Sequence, residues 1–173
     1  MMKKIALTLA VILASAVSRA ENIVIGEPVP KLHIRQWLMD FRPAPAEYTC
    51  IVFYHSESPA CRSSLPTIKR VVEHFGGRMN AIIMTKEEYD SAGVTLTEHL
   101  DDHIGVAFDD DNKTFRYFQV IHVPYCVIYD RKHRAVWCGS AAAMDEDTIE
   151  KIIDISKKSY KYTRNKNKKR ELP

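Results

Sequence analysis

One segment decides the fold of this chain: Phe53-Tyr54-His55-Ser56-Glu57-Ser58-Pro59-Ala60-Cys61-Arg62-Ser63-Ser64-Leu65-Pro66. An apolar run from Cys50 to Tyr54 ends in a polar turn, and a single cysteine, Cys61, then opens a helical pattern. This order places a thiol at a helix N-terminus, where the helix dipole favours the thiolate. The segment therefore predicts a strand, a loop and a helix arranged around Cys61.

The flanking sequence extends this unit into an α/β pattern. Residues Tyr48 to Tyr54 are β-branched or aromatic and carry no charge, which predicts a buried strand. Apolar residues from Leu65 to Phe75 then recur at spacings of three, four and three, as on one face of an amphipathic helix. Gly76-Gly77 supplies the helix end, and Asn80 to Thr85 predicts the next strand. A strand, a helix and a strand in this order predict a βαβ unit.

The remaining elements complete a single domain. We predict a central mixed β-sheet with helices on both faces, an α/β fold. The further elements are a short helix within Thr97–His103, a strand at Val106–Phe108, an N-cap cluster at Asp109–Asn112, a helix carrying Phe115 and Phe118, a hairpin of Val120–Asp130 with Arg134–Cys138, and a last helix with Ile149, Ile152, Ile153 and Tyr160.

The N-terminal residues differ in composition from the rest of the chain. Met1-Met2-Lys3-Lys4 gives a basic start, residues 5–17 are apolar, and Ser18-Arg19-Ala20 offers small residues for cleavage. This pattern predicts a secretory signal peptide over residues 1–20 and export to the periplasm or the extracellular space. The folded domain is then expected over residues 21–157, followed by a basic, disordered tail over residues 158–173.

The charge is distributed unevenly along the chain. The formal net charge of the whole chain is +3, but residues Glu21 to Ser156 carry −7, so both ends are basic. The segment from Lys157 to Pro173 contains eight Lys or Arg residues and one Glu. A frayed, solvated terminus is the expected state of this tail, and nucleic acid is not an expected partner of an exported protein. A weak contact between the tail and an anionic surface is the alternative.

Four cysteines are present, and export makes disulfides between them stable. They are Cys50, Cys61, Cys126 and Cys138. Four cysteines allow three complete pairings, which the sequence does not separate. No Cys-x-x-Cys spacing occurs, so a zinc site is not predicted, and no cofactor is expected.

These residues resemble a thioredoxin-like domain of the kind found in TlpA/ResA-type exported thiol-disulfide oxidoreductases and in AhpC/TSA proteins (peroxiredoxins). The resemblance covers roughly residues 25–157 and rests on Gly26-Glu27-Pro28-Val29-Pro30, Phe53–Pro66, Phe118–Pro124 and the hairpin ending at Gly139. It implies that Pro124 follows a cis peptide bond and that Val123 and Pro124 lie beside Ser58 and Cys61. The partners it implies are the thiols or disulfides of exported proteins.

The chain departs from that family in its central motif. Oxidoreductases of the family use two cysteines separated by two residues, of which the first attacks and the second resolves the mixed disulfide. Here the motif is Ser58-Pro59-Ala60-Cys61, so the only thiol occupies the resolving position. A serine hydroxyl does not attack a disulfide usefully, and dithiol exchange through this motif is therefore not expected.

Three alternatives follow from the resemblance. In the first, Cys61 is a peroxidase thiol, with Ser58 in the place of the peroxiredoxin Thr or Ser and an arginine nearby. The candidate arginines are Arg62, Arg131 and Arg134.

In the second alternative, Cys61 pairs with another cysteine, first of all with Cys126, in a structural or redox-active disulfide.

In the third alternative, the domain binds a peptide or acts as a chaperone in a groove between the Ser58 loop and Pro124. Pro59, Ala60 and Val123 would line this groove, with His55 and His122 at its sides. A histidine can act as a base or a metal ligand, although a surface or capping role is more common. A copper site built from Cys61, His55 and His122 is a further alternative, but we predict no metal.

Overall fold

The computed structural model describes residues 23–170, with side chains described as far as Lys158. The predicted signal peptide lies outside these residues. Six strands form one sheet, in the order β1-β4-β3-β2-β5-β6. The strands are β1 (Ile34–Trp37), β2 (Tyr48–Phe53), β3 (Met79–Thr85), β4 (Ile104–Asp109), β5 (Tyr125–Asp130) and β6 (Ala135–Gly139). The helices are α1 (Pro59–Phe75), α2 (Tyr89–Leu96), α3 (Lys113–Tyr117) and α4 (Glu146–Arg170).

The sheet is mixed, as the sequence predicted. Strand β2 runs parallel to β3 on one side and antiparallel to β5 on the other. Strand β4 extends the parallel part, and β1 and β6 close the two edges as antiparallel strands. The α/β prediction is therefore confirmed, with β2 and β3 at the centre of the sheet.

Side chains of β2 alternate between two apolar layers, as expected of a strand buried on both faces. Cys50 and Val52 enter one layer, together with apolar residues of α1, α2 and α4. Ile51 and Phe53 enter the other, with Phe115 of α3 and apolar residues of the N-terminal segment. Helices therefore cover both faces of the sheet, also as predicted.

Helix α1 has the boundaries that its sequence specifies. Ser58 is the N-cap, and Pro59 takes the first helical position, where its missing N–H costs nothing. At the other end Gly76 adopts φ +53°, a conformation that favours glycine. The predicted face from Leu65 to Phe75 is buried against the sheet.

The region between β3 and β4 differs from the prediction. The sequence predicted a short helix within Thr97–His103, whereas α2 occupies Tyr89–Leu96 and only a 3-10 turn, Thr97–His99, follows it. Helix α2 buries only Ala92 and Leu96. Two buried residues in eight give no visible 3.6-residue period, so the pattern did not reveal this helix.

The acidic turn before α3 caps the helix as predicted, but a single carboxylate makes the capping hydrogen bonds instead of a cluster. Asn112 is at the N-cap position, and its side chain makes no capping hydrogen bond. Instead the Asp109 carboxylate, at the end of β4, accepts hydrogen bonds from the backbone N–H groups of Thr114 (2.8 Å) and Phe115 (2.9 Å). Asp109 is only 5% exposed, so it fixes α3 to the sheet in a buried position.

The backbone of α4 continues as helix to Arg170, through most of the segment that the sequence predicted to be a disordered tail. The segment lies after the apolar stripe of Ile149 and Ile153, which packs on the sheet. Lys and Arg are good helix formers, so the helix can continue beyond its packed part. Within residues 23–170, no helix combines the length and the hydrophobicity needed to cross a membrane.

We predict that Asp109→Ala lowers the free energy of unfolding by about 2 kcal/mol, because two buried N–H groups lose their acceptor. Urea unfolding followed by circular dichroism measures this change. Asp109→Asn keeps one acceptor oxygen and should lose less. Asp154→Ala, at an exposed position of α4, is the control and should stay within about 0.5 kcal/mol of the wild type. Equal midpoints for Asp109→Ala and Asp154→Ala would contradict the assigned role.

Candidate functional site at the end of strand β2

Three loops meet at one end of the sheet because the strands that precede or follow them are paired. Phe53, the last residue of β2, lies opposite Met84 of β3 and Tyr125 of β5. The loop after β2, the loop after β3 and the loop before β5 are therefore neighbours. The peptide bond between Val123 and Pro124, in the last of these loops, is cis. The segment that decided the fold thus also forms the centre of the candidate site.

Ser58 and Cys61 occupy different environments, although both belong to the first turn of α1. The Ser58 hydroxyl oxygen accepts a hydrogen bond from the Cys61 backbone N–H (3.3 Å), the usual contact of an N-cap. Ser58 is half-buried, and Pro59 and Ala60 are exposed. Cys61 is 0% exposed, and its side chain belongs to the apolar layer under α1. The only thiol of the motif therefore does not reach the surface.

A groove with a volume of about 250 Å³ opens beside Ser58. Its walls come from all three loops and from α3, and they are mainly apolar. The lining residues are Tyr54, His55, Ser58, Lys86, Phe115, Val120, Ile121, His122 and Val123. Of the residues predicted for this groove, Ser58, Val123, His55 and His122 line it. Pro59, Ala60, Cys61 and Pro124 do not.

Glu87, in the loop after β3, is a site residue that the sequence did not indicate. Its side chain is only 8% exposed. One carboxylate oxygen accepts from the Ser56 N–H and from the Thr85 hydroxyl, both at 2.9 Å, and the other accepts from the Ser56 hydroxyl. His55 Nδ1 lies 3.7 Å from this carboxylate. Glu87 therefore holds the loop that carries His55. Because β2 and β3 are parallel, the loops that follow them are adjacent. A polar residue directly after β3, such as Glu87, could therefore have been expected near the site.

Tyr54 connects the groove with the buried thiol. Its hydroxyl is buried and has no hydrogen-bond partner in the described part of the chain. Burial raises the pKa of Tyr54, and the nearby Cys61 and Glu87 add to the increase, whereas Arg62 opposes it. The Tyr54 hydroxyl thus remains protonated and lies close enough to Cys61 to interact with it electrostatically.

Three of the four cysteines lie together in the apolar layer under α1. Cys126 is opposite Val52 in the β2–β5 pair, and Cys50 is two residues away on the same face. A hydrogen bond between the thiols of Cys50 and Cys126 raises the pKa of Cys126, and burial and the proximity of Cys61 raise it further. All four cysteines are free thiols in this structure. The expected Cys61–Cys126 pair is thus not a disulfide here, and Cys50 is the hydrogen-bonded neighbour of Cys126.

Cys138 is on the opposite face of the sheet and is the only partly exposed cysteine. The Cys138 thiol forms a hydrogen bond with the Tyr125 hydroxyl. The pKa of Tyr125 is raised mainly by burial and further by this hydrogen bond. Cys138 is separated from the other three by the sheet itself. A disulfide that includes Cys138 would therefore require the strands to move apart.

The three arginines considered for a peroxidase site each donate a hydrogen bond to another part of the chain. Arg62 donates through Nη1 to the Ser56 carbonyl, Arg131 donates to the Ala46 carbonyl (3.3 Å), and Arg134 donates to Asp130 (2.7 Å). Each candidate arginine thus has a hydrogen bond that is directed elsewhere.

The three residues of the copper alternative are not brought together. Among the described side chains, no three His, Cys, Asp or Glu residues are grouped so that they could hold a metal ion. The alternative of a copper site from Cys61, His55 and His122 is therefore wrong for this structure.

Comparison with known proteins rests on structure. No protein-family model matches the sequence, and no curated protein matches it. The thioredoxin domain of a thiol-disulfide oxidoreductase from Bacteroides vulgatus is 12% identical, with a TM-score of 0.62 over 75% of this chain and 98% of that one. The chain has a thioredoxin-like fold.

Two further thioredoxin-like structures show the same likeness. A candidate thiol:disulfide interchange protein DsbE from Chlorobium tepidum is 16% identical, with a TM-score of 0.61 over 78% of this chain and 99% of that one. A candidate protein disulfide isomerase from Bacteroides thetaiotaomicron is 16% identical, with a TM-score of 0.62 over 82% of this chain and 95% of that one. At these identities the likeness establishes the fold, as the sequence predicted.

We predict that the folded, reduced protein has one thiol that reacts quickly with Ellman's reagent and three that react only on unfolding. Cys138 is the fast one, because Cys50, Cys61 and Cys126 are completely buried. Stopped-flow absorbance in buffer and in urea measures the two phases. Cys138→Ser should remove the fast phase, and Cys61→Ser should leave it unchanged. Loss of the fast phase in Cys61→Ser would contradict the burial of the motif thiol.

Proposed function

We propose that this protein is an exported thioredoxin-like protein that holds an extended polypeptide segment in the groove beside Pro124 and exchanges no disulfides through Ser58 and Cys61. One observation carries the proposal: the only thiol of the motif is 0% exposed, while the half-buried position that borders the groove is a serine. The groove is thus retained without a nucleophile in it.

Disulfide exchange requires an in-line approach of a thiolate to a sulfur atom of the substrate. Cys61 lies behind the first turn of α1, among apolar side chains, and is not one of the residues that line the groove. Burial in apolar surroundings also disfavours the thiolate, which is the reactive form. Ser58 contributes a hydrogen bond to the helix end instead of an attacking group.

The groove offers what an extended polypeptide needs. The backbone groups of residues 121–123 make no hydrogen bond with any part of the described chain, so their N–H and C=O groups are available to a partner. A polypeptide laid along such a segment gains main-chain hydrogen bonds, and pockets beside it accept alternate side chains. Ile121 lines the groove and is 91% exposed, so its apolar side chain is accessible to a partner in the groove.

The class of partner follows from the predicted compartment. The leader pattern supports export, and polypeptides of other exported proteins are then the available occupants. The structural neighbours bear names of proteins that act on protein thiols and disulfides. A cysteine-containing segment of an exported protein therefore remains within the proposed class, bound without a covalent step.

A permanently unfolded polypeptide tests the binding part of the proposal. We expect reduced, carboxymethylated α-lactalbumin to shift the amide NMR signals of residues 54–58, 115 and 120–123, and to leave α4 unaffected. Ile121→Ser should weaken this binding about tenfold, since a large exposed apolar contact is lost. Val94→Ser, at an equally exposed apolar position on α2, is the matched control and should bind as the wild type does. Shifts confined to residues outside the groove, or no shifts, would overturn the proposal.

Reduction of insulin by motif variants tests the proposed absence of disulfide exchange. Wild-type protein should not accelerate the reduction of insulin by dithiothreitol, whereas Ser58→Cys should accelerate it at least about tenfold, since it restores an accessible thiol three residues before Cys61. Ser63→Cys adds an exposed thiol on the same helix and is the control that should remain inactive. Wild-type activity that disappears in Cys61→Ser would contradict the proposal.

A further inference from the structure

The polar groups in the groove wall are hydrogen-bond donors. Lys86, His55, Ser58 and His122 lie around an apolar base that includes Phe115 and Val120, and none of the lining residues is acidic. Lys86 makes no ion pair with any described residue, and its ammonium group lies 5.4 Å from the centre of the Phe115 ring. The Lys86 ammonium thus makes a cation–π contact with Phe115 at the groove, without a carboxylate partner among the described residues.

His55 adds a donor because of its hydrogen bond within the loop. The Glu57 backbone N–H donates to His55 Nδ1 (3.3 Å), which makes Nδ1 an acceptor. In the neutral ring the proton is then on Nε2, which leaves Nε2 as a donor to a ligand. The Ser58 oxygen already accepts from Cys61, so the Ser58 hydroxyl proton is also available.

The Glu87 carboxylate lies 3.7 Å from Nδ1 of His55, whereas the donor that the neutral His55 ring offers to a ligand is Nε2. Its two oxygens accept three hydrogen bonds from Ser56 and Thr85, and its side chain is 8% exposed. A ligand in the groove therefore encounters Lys86 at the surface, while Glu87 faces the inside of the loop. The groove is complementary to a group that accepts hydrogen bonds and carries negative charge.

We infer that the groove selects polypeptide segments in which an aspartate or glutamate lies within two positions of a large apolar residue. The apolar side chain would lie against Phe115 and Val120, and the carboxylate would reach Lys86 and His55. The short distance between the Lys86 ammonium and the Phe115 ring sets the spacing of the two groups. This inference rests on the proposed groove function and adds the chemistry of the occupant to it.

Three fluorescent peptides that share a Val-Phe core, followed by Glu, Gln or Lys, test this inference by fluorescence anisotropy at low salt. We expect the Glu peptide to bind about fivefold more tightly than the Gln peptide, the upper range for one partly exposed ion pair, and the Lys peptide to bind most weakly. Salt should reduce the difference, since the charges are near the surface.

Charge reversal at one position makes the test specific. Lys86→Glu should reverse the order, so that the Lys peptide binds more tightly than the Glu peptide. Lys132→Glu changes the net charge by the same amount in the exposed hairpin turn between β5 and β6 and should leave the order unchanged. A general effect of protein charge would shift both variants equally and would overturn the inference.

The possible failures are distinguishable. If all three peptides bind with equal affinity and shift the amide signals of residues 54–58 and 120–123, the inference about charge is wrong and the groove function stands. If none of the peptides shifts these signals, the groove function is wrong as well. A Glu preference that Lys86→Glu does not alter would also overturn the inference, because the selectivity would then arise elsewhere.

Discussion

The site depends on the hydrogen-bonded pairing of β2 with β3 on one side and with β5 on the other. This pairing fixes the positions of three loops that are far apart in the sequence, those after Phe53, after Thr85 and before Tyr125. Each loop supplies one part of the groove: Ser58 and His55 from the first, Lys86 from the second and Val123 from the third. A shift of one residue in either register would turn alternate side chains of β2 to the opposite face and would separate these parts.

The same pairing also explains why the thiol of Cys61 is buried. Because Cys50 and Val52 face α1, the layer beneath that helix is apolar where Cys61 enters it. Cys61 therefore behaves as a small apolar residue, packed near Cys50 and Cys126. Ser58, three residues earlier, borders the groove and caps the helix. A shared fold does not by itself establish an activity, because the side chains at the site supply the chemistry.

Much of the fold was predictable because its signals are local. The uncharged run at Tyr48–Phe53, the spacing of apolar residues in α1 and the glycine at position 76 each identified an element correctly. Helix α2 was misplaced because only two of its residues are buried, and the capping role of Asp109 was assigned to a cluster instead of one side chain. The few buried residues of α2 pack into a layer built from distant elements, whereas the choice of Asp109 among neighbouring acidic residues depends on the local turn between β4 and α3.

The sequence by itself determined the class of fold and the serine at position 58, and the family resemblance led us to expect Val123 and Pro124 beside Ser58, with His55 and His122 at the sides of the groove. Only the tertiary structure decided that Cys50 rather than Cys61 is hydrogen-bonded to Cys126, and that Lys86 and Glu87 belong to the site. The physical reason is that periodicity and turn residues are encoded locally, whereas exposure and the identity of neighbours arise from the pairing of strands distant in sequence.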